Sequence, residues 1–159
     1  MTSRTLVILA ASGSMALLMG AWAFQYIGGL APCQMCYWQR WPHMAAVAFG
    51  AAAVAFGTSR LWMALGALAA LATALIGVYH AGVEQKWWAG PQSCSGGGLS
   101  GLSGADLLSL DGPGIVMCDQ IAWQMLGISM AGWNALASFG LAGLWVWAML
   151  KHTKSLTSH

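Results

Sequence analysis

Leu6 to Ile27 runs for 22 residues without a formal charge, a stretch that water solvates poorly as an exposed helix. At about 1.5 Å per residue it is long enough to cross a hydrocarbon core of ~30 Å. Leu61 to His80 and Ile128 to Leu150 repeat the pattern, and Pro42 to Phe56 is a shorter version of it. Over the whole chain 58% of residues are hydrophobic and 6% are charged. Soluble domains carry about 25% charged residues, so most of this exterior must face lipid. The length of 159 residues suits one domain. The net charge of +2, with no basic run, excludes a nucleic-acid groove.

These stretches predict an all-α membrane protein, a four-transmembrane-helix bundle forming one domain over residues 1–159. The expected spans are 6–27, 42–56, 61–80 and 128–150. The loops are 28–41, between the first two spans, and 81–127, between the third and fourth. A cleaved signal peptide is the alternative for the first span, since Arg4 gives a basic start and Ala21-Trp22-Ala23 resembles a cleavage site. The apolar run continues through Phe24, Tyr26 and Ile27, which favours a retained span. Ser129 is a plausible N-cap for the last helix. Gly66, Ala70 and Ala74 recur every four residues, a small-residue seam suited to close helix contact.

Four spans put both termini on one side. Arg4, Arg60, Lys151 and Lys154 share that side with no acidic residue among them. Glu84, Asp106, Asp111 and Asp119 lie on the other, offset only by Arg40 and Lys86. The positive-inside rule then makes the termini cytoplasmic. Cys33, Cys36, Cys94 and Cys118 all fall outside, where disulfides persist. Of the ten tryptophans, Trp22, Trp38, Trp41, Trp123 and Trp133 fall near outer span ends, and Trp62, Trp145 and Trp147 near inner ones. That pattern reads as an interfacial belt. Val83 to Trp88 is expected to lie along the membrane surface, and Lys151 to His159 to be a polar tail with solvent-exposed His152 and His159.

The chemistry concentrates in Pro32-Cys33-Gln34-Met35-Cys36-Tyr37-Trp38-Gln39-Arg40. Two cysteines at C-x-x-C spacing close a small disulfide ring that opens and re-forms easily. A helix starting near Cys36, with Arg40 one turn on, favours thiolate over thiol, and thiolate is the reactive form. Cys94 and Cys118 flank a glycine-rich linker, with 23 residues between them. A bridge there would stabilise the fold by about 3 kcal/mol in the chain-entropy picture. The flexible linker would equally let the two sulfurs part and find other partners. Spacing leaves both readings open, and four cysteines allow three pairings.

Taken together, these motifs resemble the disulfide bond formation protein B family, DsbB, bacterial inner-membrane quinone reductases that reoxidise the periplasmic oxidant DsbA. Pro32-Cys33-x-x-Cys36-x-x-x-Arg40 is the most specific match. Gln25, Tyr79-His80, Met117-Cys118-Asp119 and the stretch from Trp123 to Asn134 also correspond. Gln39 departs from the pattern, because some members carry an acidic residue before the arginine. The glycine-rich stretch between Cys94 and Cys118 is a second departure and bears on how a partner docks.

The resemblance implies that a DsbA-like oxidase attacks a Cys94–Cys118 disulfide at Cys94. Cys118 then attacks Cys33, and Cys36 passes electrons to a quinone, ubiquinone or menaquinone. Arg40, His80 and Gln25 are the implied quinone-binding residues, with His80 as hydrogen-bond partner or proton carrier. Glu84 could pair with His80 across one turn if the helix continues. Gln25, His43 and Asn134 sit at one depth, where interhelical hydrogen bonding is the first reading and a pocket role the second. No metal site is expected, since a second C-x-x-C is lacking. The rival classes are a metal-handling membrane protein and a structural bundle with inert disulfides. A vitamin K epoxide reductase-like bundle is disfavoured because its C-x-x-C lies near the last span.

Overall fold

The computed structural model describes residues 1–95 and 116–157. Four helices, α1 (Ser3–Tyr26), α2 (Gln34–Ala55), α3 (Arg60–Glu84) and α4 (Met130–Thr157), account for most of them. A small antiparallel hairpin, β1 (Gln124–Met125) with β2 (Ile128–Ser129), leads into α4. The glycine-rich stretch 96–104, with Asp106 and Asp111, lies outside the described residues.

Three of the helices are long and apolar enough to cross a membrane: Ser3–Tyr26, Arg60–Glu84 and Met130–Thr153. The second helix is not among them. Its first turns carry Gln34, Gln39, Arg40 and His43, which lower its hydropathy although its 22 residues would suffice in length. It also starts well before Pro42, so the proline sits inside the helix rather than in its first turn. There its missing N–H leaves the carbonyl one turn earlier without the usual helical donor. The other helices likewise outrun their apolar stretches. The third continues past His80 to Glu84, and the fourth takes in much of the expected tail.

Local chemistry explains the helix starts. Thr2 Oγ1 accepts the Thr5 N–H at 3.2 Å ahead of α1. Ser129 Oγ accepts the Gly132 N–H at 3.2 Å ahead of α4. Each hydroxyl satisfies a donor that the first helical turn leaves open. Gly57, at φ +95°, makes the tight turn between α2 and α3, a backbone region that L side chains disfavour.

The helices close into a ring in which α1 and α3 each pack on α2 and α4 but barely on one another. At the end holding the termini the core is Leu6, Val7, Ala10, Ala53, Met63, Ala70, Trp145 and Ala148. Trp145 is fully buried, which corrects its assignment to the interfacial belt. Its indole lies over Gly66, where an added Cβ would come within 2.6 Å of the ring. At Gly66 the small-residue seam of α3 therefore receives a large side chain from α4. His152 is half-buried, which corrects its expectation as a solvent residue.

The outward faces are apolar: Ile8, Leu9, Met15, Leu68, Leu75, Leu136 and Phe139 are all exposed. Such a continuous apolar exterior is unfavourable in water and suits lipid. At the bundle's opposite end a second buried cluster gathers Cys33, Met35, Val83, Cys94 and Cys118, with Cys36 and Val116 against it.

Candidate redox site

Cys33 is the N-cap of α2, in extended backbone (φ −74°, ψ 170°), and its Sγ accepts the Cys36 N–H at 3.2 Å. The expectation that Cys36 would sit at the helix start is thus shifted by one turn's edge: Cys33 caps, and Cys36 is third in the helix. Both are free thiols, with their sulfurs 2.8 Å apart. Cys94 and Cys118 form a disulfide, one of the three pairings left open by the sequence. The Cys118 N–H donates to the Cys94 carbonyl, and the Cys94 N–H to that of Pro91, which fixes the bridge within its turn.

The Cys33–Arg40 segment precedes the apolar stretch of α2, and the two thiols titrate as a pair. The Cys36 thiol is lowered below the ordinary thiol range, first by its hydrogen bond with Cys33 and less by Arg40, against opposing burial and the Glu84 carboxylate. Cys33 is raised, first by the same hydrogen bond and then by burial. The neighbouring thiol, more than Arg40, is what makes Cys36 the anionic member.

One prediction follows for the reduced protein. Cys36 should be alkylated faster than Cys33 at neutral pH, because only thiolate reacts. Its rate should hold as pH falls below the usual thiol value near 8.5 and drop only below its own lowered value. Mass spectrometry of iodoacetamide-treated protein across pH checks this; preferential labelling of Cys33 would contradict it.

Beside Cys36 lies a cavity of about 400 Å³. Leu17, Ala21 and Phe24 of α1 and Trp133 and Ala137 of α4 give it apolar walls, and Arg40, His80 and Glu84 add polar groups. A separate groove of about 730 Å³ runs between residues 25–34 and 93–94 and is lined by both Cys33 and Cys94. Arg40 Nη1 donates to Gln25 Oε1 at 2.6 Å and its guanidinium carbon lies 5.1 Å from the Tyr37 ring centroid. Gln25 therefore orients Arg40 between α1 and α2 and lines the groove, not the cavity. His80 Nε2 lies 3.5 Å from Cys33 Sγ and 3.9 Å from Glu84 Oε1.

Comparison with known proteins resolves the family. The family model described as "Disulfide bond formation protein DsbB" matches residues 3–148. The chain belongs to the DsbB family. Its relatives include Disulfide bond formation protein B of Verminephrobacter eiseniae, 35% identical over 94% of this chain and 86% of that protein. The Methylococcus capsulatus protein of the same name is 33% identical over 88% of this chain and 90% of its own length. That of Hahella chejuensis is 28% identical over 97% and 98%. No solved structure matches the chain at a comparable level of significance.

In this DsbB-family chain the residues least legible from sequence form a buried polar chain behind the cysteines. Gln39 Nε2 donates to His80 Nδ1 at 2.8 Å and to the Met35 carbonyl at 3.2 Å. Asn134 Nδ2 donates to Gln39 Oε1 at 2.8 Å and to Thr73 Oγ1 at 3.2 Å. The Thr73 hydroxyl donates to the Gln39 carbonyl at 3.0 Å, and His43 Nε2 donates to Asn134 Oδ1 at 2.9 Å. His43 and Asn134 thus do hydrogen-bond between helices, and both also line the cavity. Thr73 passed unnoticed. Its only clue is that a polar group inside an apolar span must find a partner.

The stretch Val83 to Trp88 is not a surface helix. Val83 and Glu84 finish α3, Lys86 takes φ +61°, and the chain turns back. Trp88 stacks on Tyr79 at 6.1 Å between centroids, donates to the Tyr79 carbonyl at 2.8 Å and sits over Gly82. Lys86 Nζ donates to Asp119 Oδ2 at 2.6 Å, tying the end of α3 to the residue after Cys118.

Cys33 Sγ, Cys36 Sγ and His80 Nε2 also lie within 4.8 Å of one another, close enough to hold one metal ion. The Gln39 amide opposes that use. An amide donor at Nδ1 favours a neutral ring with its proton on Nε2, the atom a metal would need bare.

Proposed function

We propose that this chain is a membrane quinone reductase that reoxidises a DsbA-like periplasmic dithiol oxidase, a thiol-disulfide oxidoreductase. The supporting observation is the gathering of all four cysteines in one buried cluster, as a disulfide and a contacting thiol pair beside an apolar cavity. In this reading the chain is a single domain of four spans in the bacterial inner membrane. The fourth span is the part of α2 from Pro42 onward, with His43 turned to its neighbour Asn134. Both termini are cytoplasmic, and the cysteines and the long loop 81–127 are periplasmic, a topology that the charge distribution supports.

The groove that holds Cys94 and Cys33 suits an incoming thiolate. Attack on Cys94 gives a mixed disulfide and frees the Cys118 thiolate. With Cys33 and Cys36 oxidised, Cys118 attacks Cys33 and Cys36 leaves as a thiolate. The partner's second thiol then resolves the mixed disulfide, releasing the oxidised partner and a Cys94 thiolate. Cys94 attacks Cys118, re-forming their bridge and returning Cys33 as a thiol. The result is the arrangement described above: a bridged outer pair and a reduced inner pair. Each exchange has a thiolate attacker and a thiolate leaving group.

The cavity fits a quinone. Its walls are apolar, as a ring and an isoprenoid tail require, while Arg40 and His80 offer N–H donors for ring oxygens. A bound quinone supplies a two-electron, two-proton acceptor as Cys33 and Cys36 lose two electrons and close their bridge. Arg40 adds to the Cys33 hydrogen bond in keeping Cys36 anionic and favours negative charge near it. The apolar walls exclude water and keep these interactions strong. Ubiquinone and menaquinone satisfy the same contacts.

The test is anaerobic mixing of the purified protein with excess reduced DsbA-like partner and a soluble quinone analogue. One quinone should be reduced per partner disulfide formed. Partner oxidation without quinone consumption would contradict the proposal, and stoichiometric metal in the purified protein would favour the metal-handling reading.

A further inference from the structure

We propose that Gln39 is a positioning residue that holds His80 as the imidazole protonated on Nε2, so that it faces the sulfur pair as a hydrogen-bond donor. The inference concerns how the ring is held and builds on the reading of Cys33 and Cys36 as the redox pair.

The direction of every bond in the buried chain is set at two backbone carbonyls, which can only accept. The Met35 carbonyl lies 3.2 Å from one side-chain atom of Gln39, which must therefore be its nitrogen. That nitrogen is also the atom 2.8 Å from His80 Nδ1, and an amide NH₂ can only donate, so Nδ1 is the bare, accepting nitrogen. The Gln39 carbonyl takes the Thr73 hydroxyl proton at 3.0 Å. Thr73 Oγ1 is then the acceptor for Asn134 Nδ2 at 3.2 Å, whose second hydrogen goes to Gln39 Oε1 at 2.8 Å. The two anchors fix Gln39 and Asn134 independently and agree.

The consequence is at the other ring nitrogen. His80 Nε2 carries the hydrogen and lies 3.5 Å from Cys33 Sγ and 3.9 Å from Glu84 Oε1. His80 is buried, as are Gln39 and the Glu84 side chain, which limits competition from water for these bonds. A ring held this way supplies an N–H at the sulfurs without first taking up a proton. A ring of the opposite tautomer would present a lone pair there and repel a thiolate. Gln39 touches neither sulfur in this arrangement and acts through His80.

The test is nitrogen NMR of protein labelled with ¹⁵N-histidine, with the His80 signals identified by their loss in His80→Asn. Wild type should show His80 neutral, with Nε2 protonated and Nδ1 bare. Gln39→Glu places an acceptor opposite Nδ1 and should move the proton there, and Gln39→Met should leave a mixture. A wild-type ring protonated on Nδ1, or a tautomer indifferent to both substitutions, would overturn the inference. The wild-type spectrum decides even if a variant fails to fold. Absence of quinone reduction in wild type would instead sink the redox reading and leave the tautomer result standing.

Discussion

Replacing Cys36 with serine should reduce quinone turnover by about a thousandfold or more, since the Cys33–Cys36 bridge that closes as the quinone is reduced can no longer form. The loss has a specific form. The Cys94–Cys118 bridge is intact in this variant, so a reduced DsbA-like partner should still be oxidised once. One equivalent of partner disulfide should appear quickly, and then the reaction should stop. That burst separates a lost terminal step from a misfolded protein, which would give no burst. Continued partner oxidation with quinone consumption would show that electrons leave by a route that avoids Cys36. Arg40 lowers Cys36 only as a lesser cause, so Arg40→Ala should weaken turnover without abolishing it.

The Cys94→Ser/Cys118→Ser double variant should have the complementary effect. Oxidation of the protein partner should fall by about a hundredfold or more, because the attackable disulfide is gone. A small dithiol such as dithiothreitol should still drive quinone reduction within a few-fold of wild type. It reaches Cys33 through the groove that Cys33 shares with Cys94. Equal loss with both reductants would mean that the outer pair is needed to hold the site together. In that case the bridge between residues 94 and 118 would be the structural clasp that its linker length also allows.

The sequence discloses the membrane character well because the cause is compositional: uncharged runs the length of a bilayer have few other uses. It also discloses the Ser129 cap and the His80–Glu84 pair, which are local spacings on a continuing helix. Local rules fail where the third dimension decides. α2 starts early because Gln39, Arg40 and His43 find partners on α1, α3 and α4, which removes the cost that hydropathy assigns them. Trp145 looks interfacial from its position, yet Gly66 on another helix opens room for it in the core. Gln39 is visible in the sequence only as a missing carboxylate before Arg40. Its bonds to His80 and Asn134 span some 40 and 95 positions, beyond any local spacing rule.

The most direct test is where the quinone sits. A quinone analogue with a photoreactive group on its ring, irradiated with the protein in bilayers, should attach to cavity-lining residues such as Ala21, Phe24 and Trp133. Excess unlabelled quinone should abolish that attachment. Attachment confined to the outward faces, for example Leu68 and Leu75, and indifferent to competitor would contradict the account.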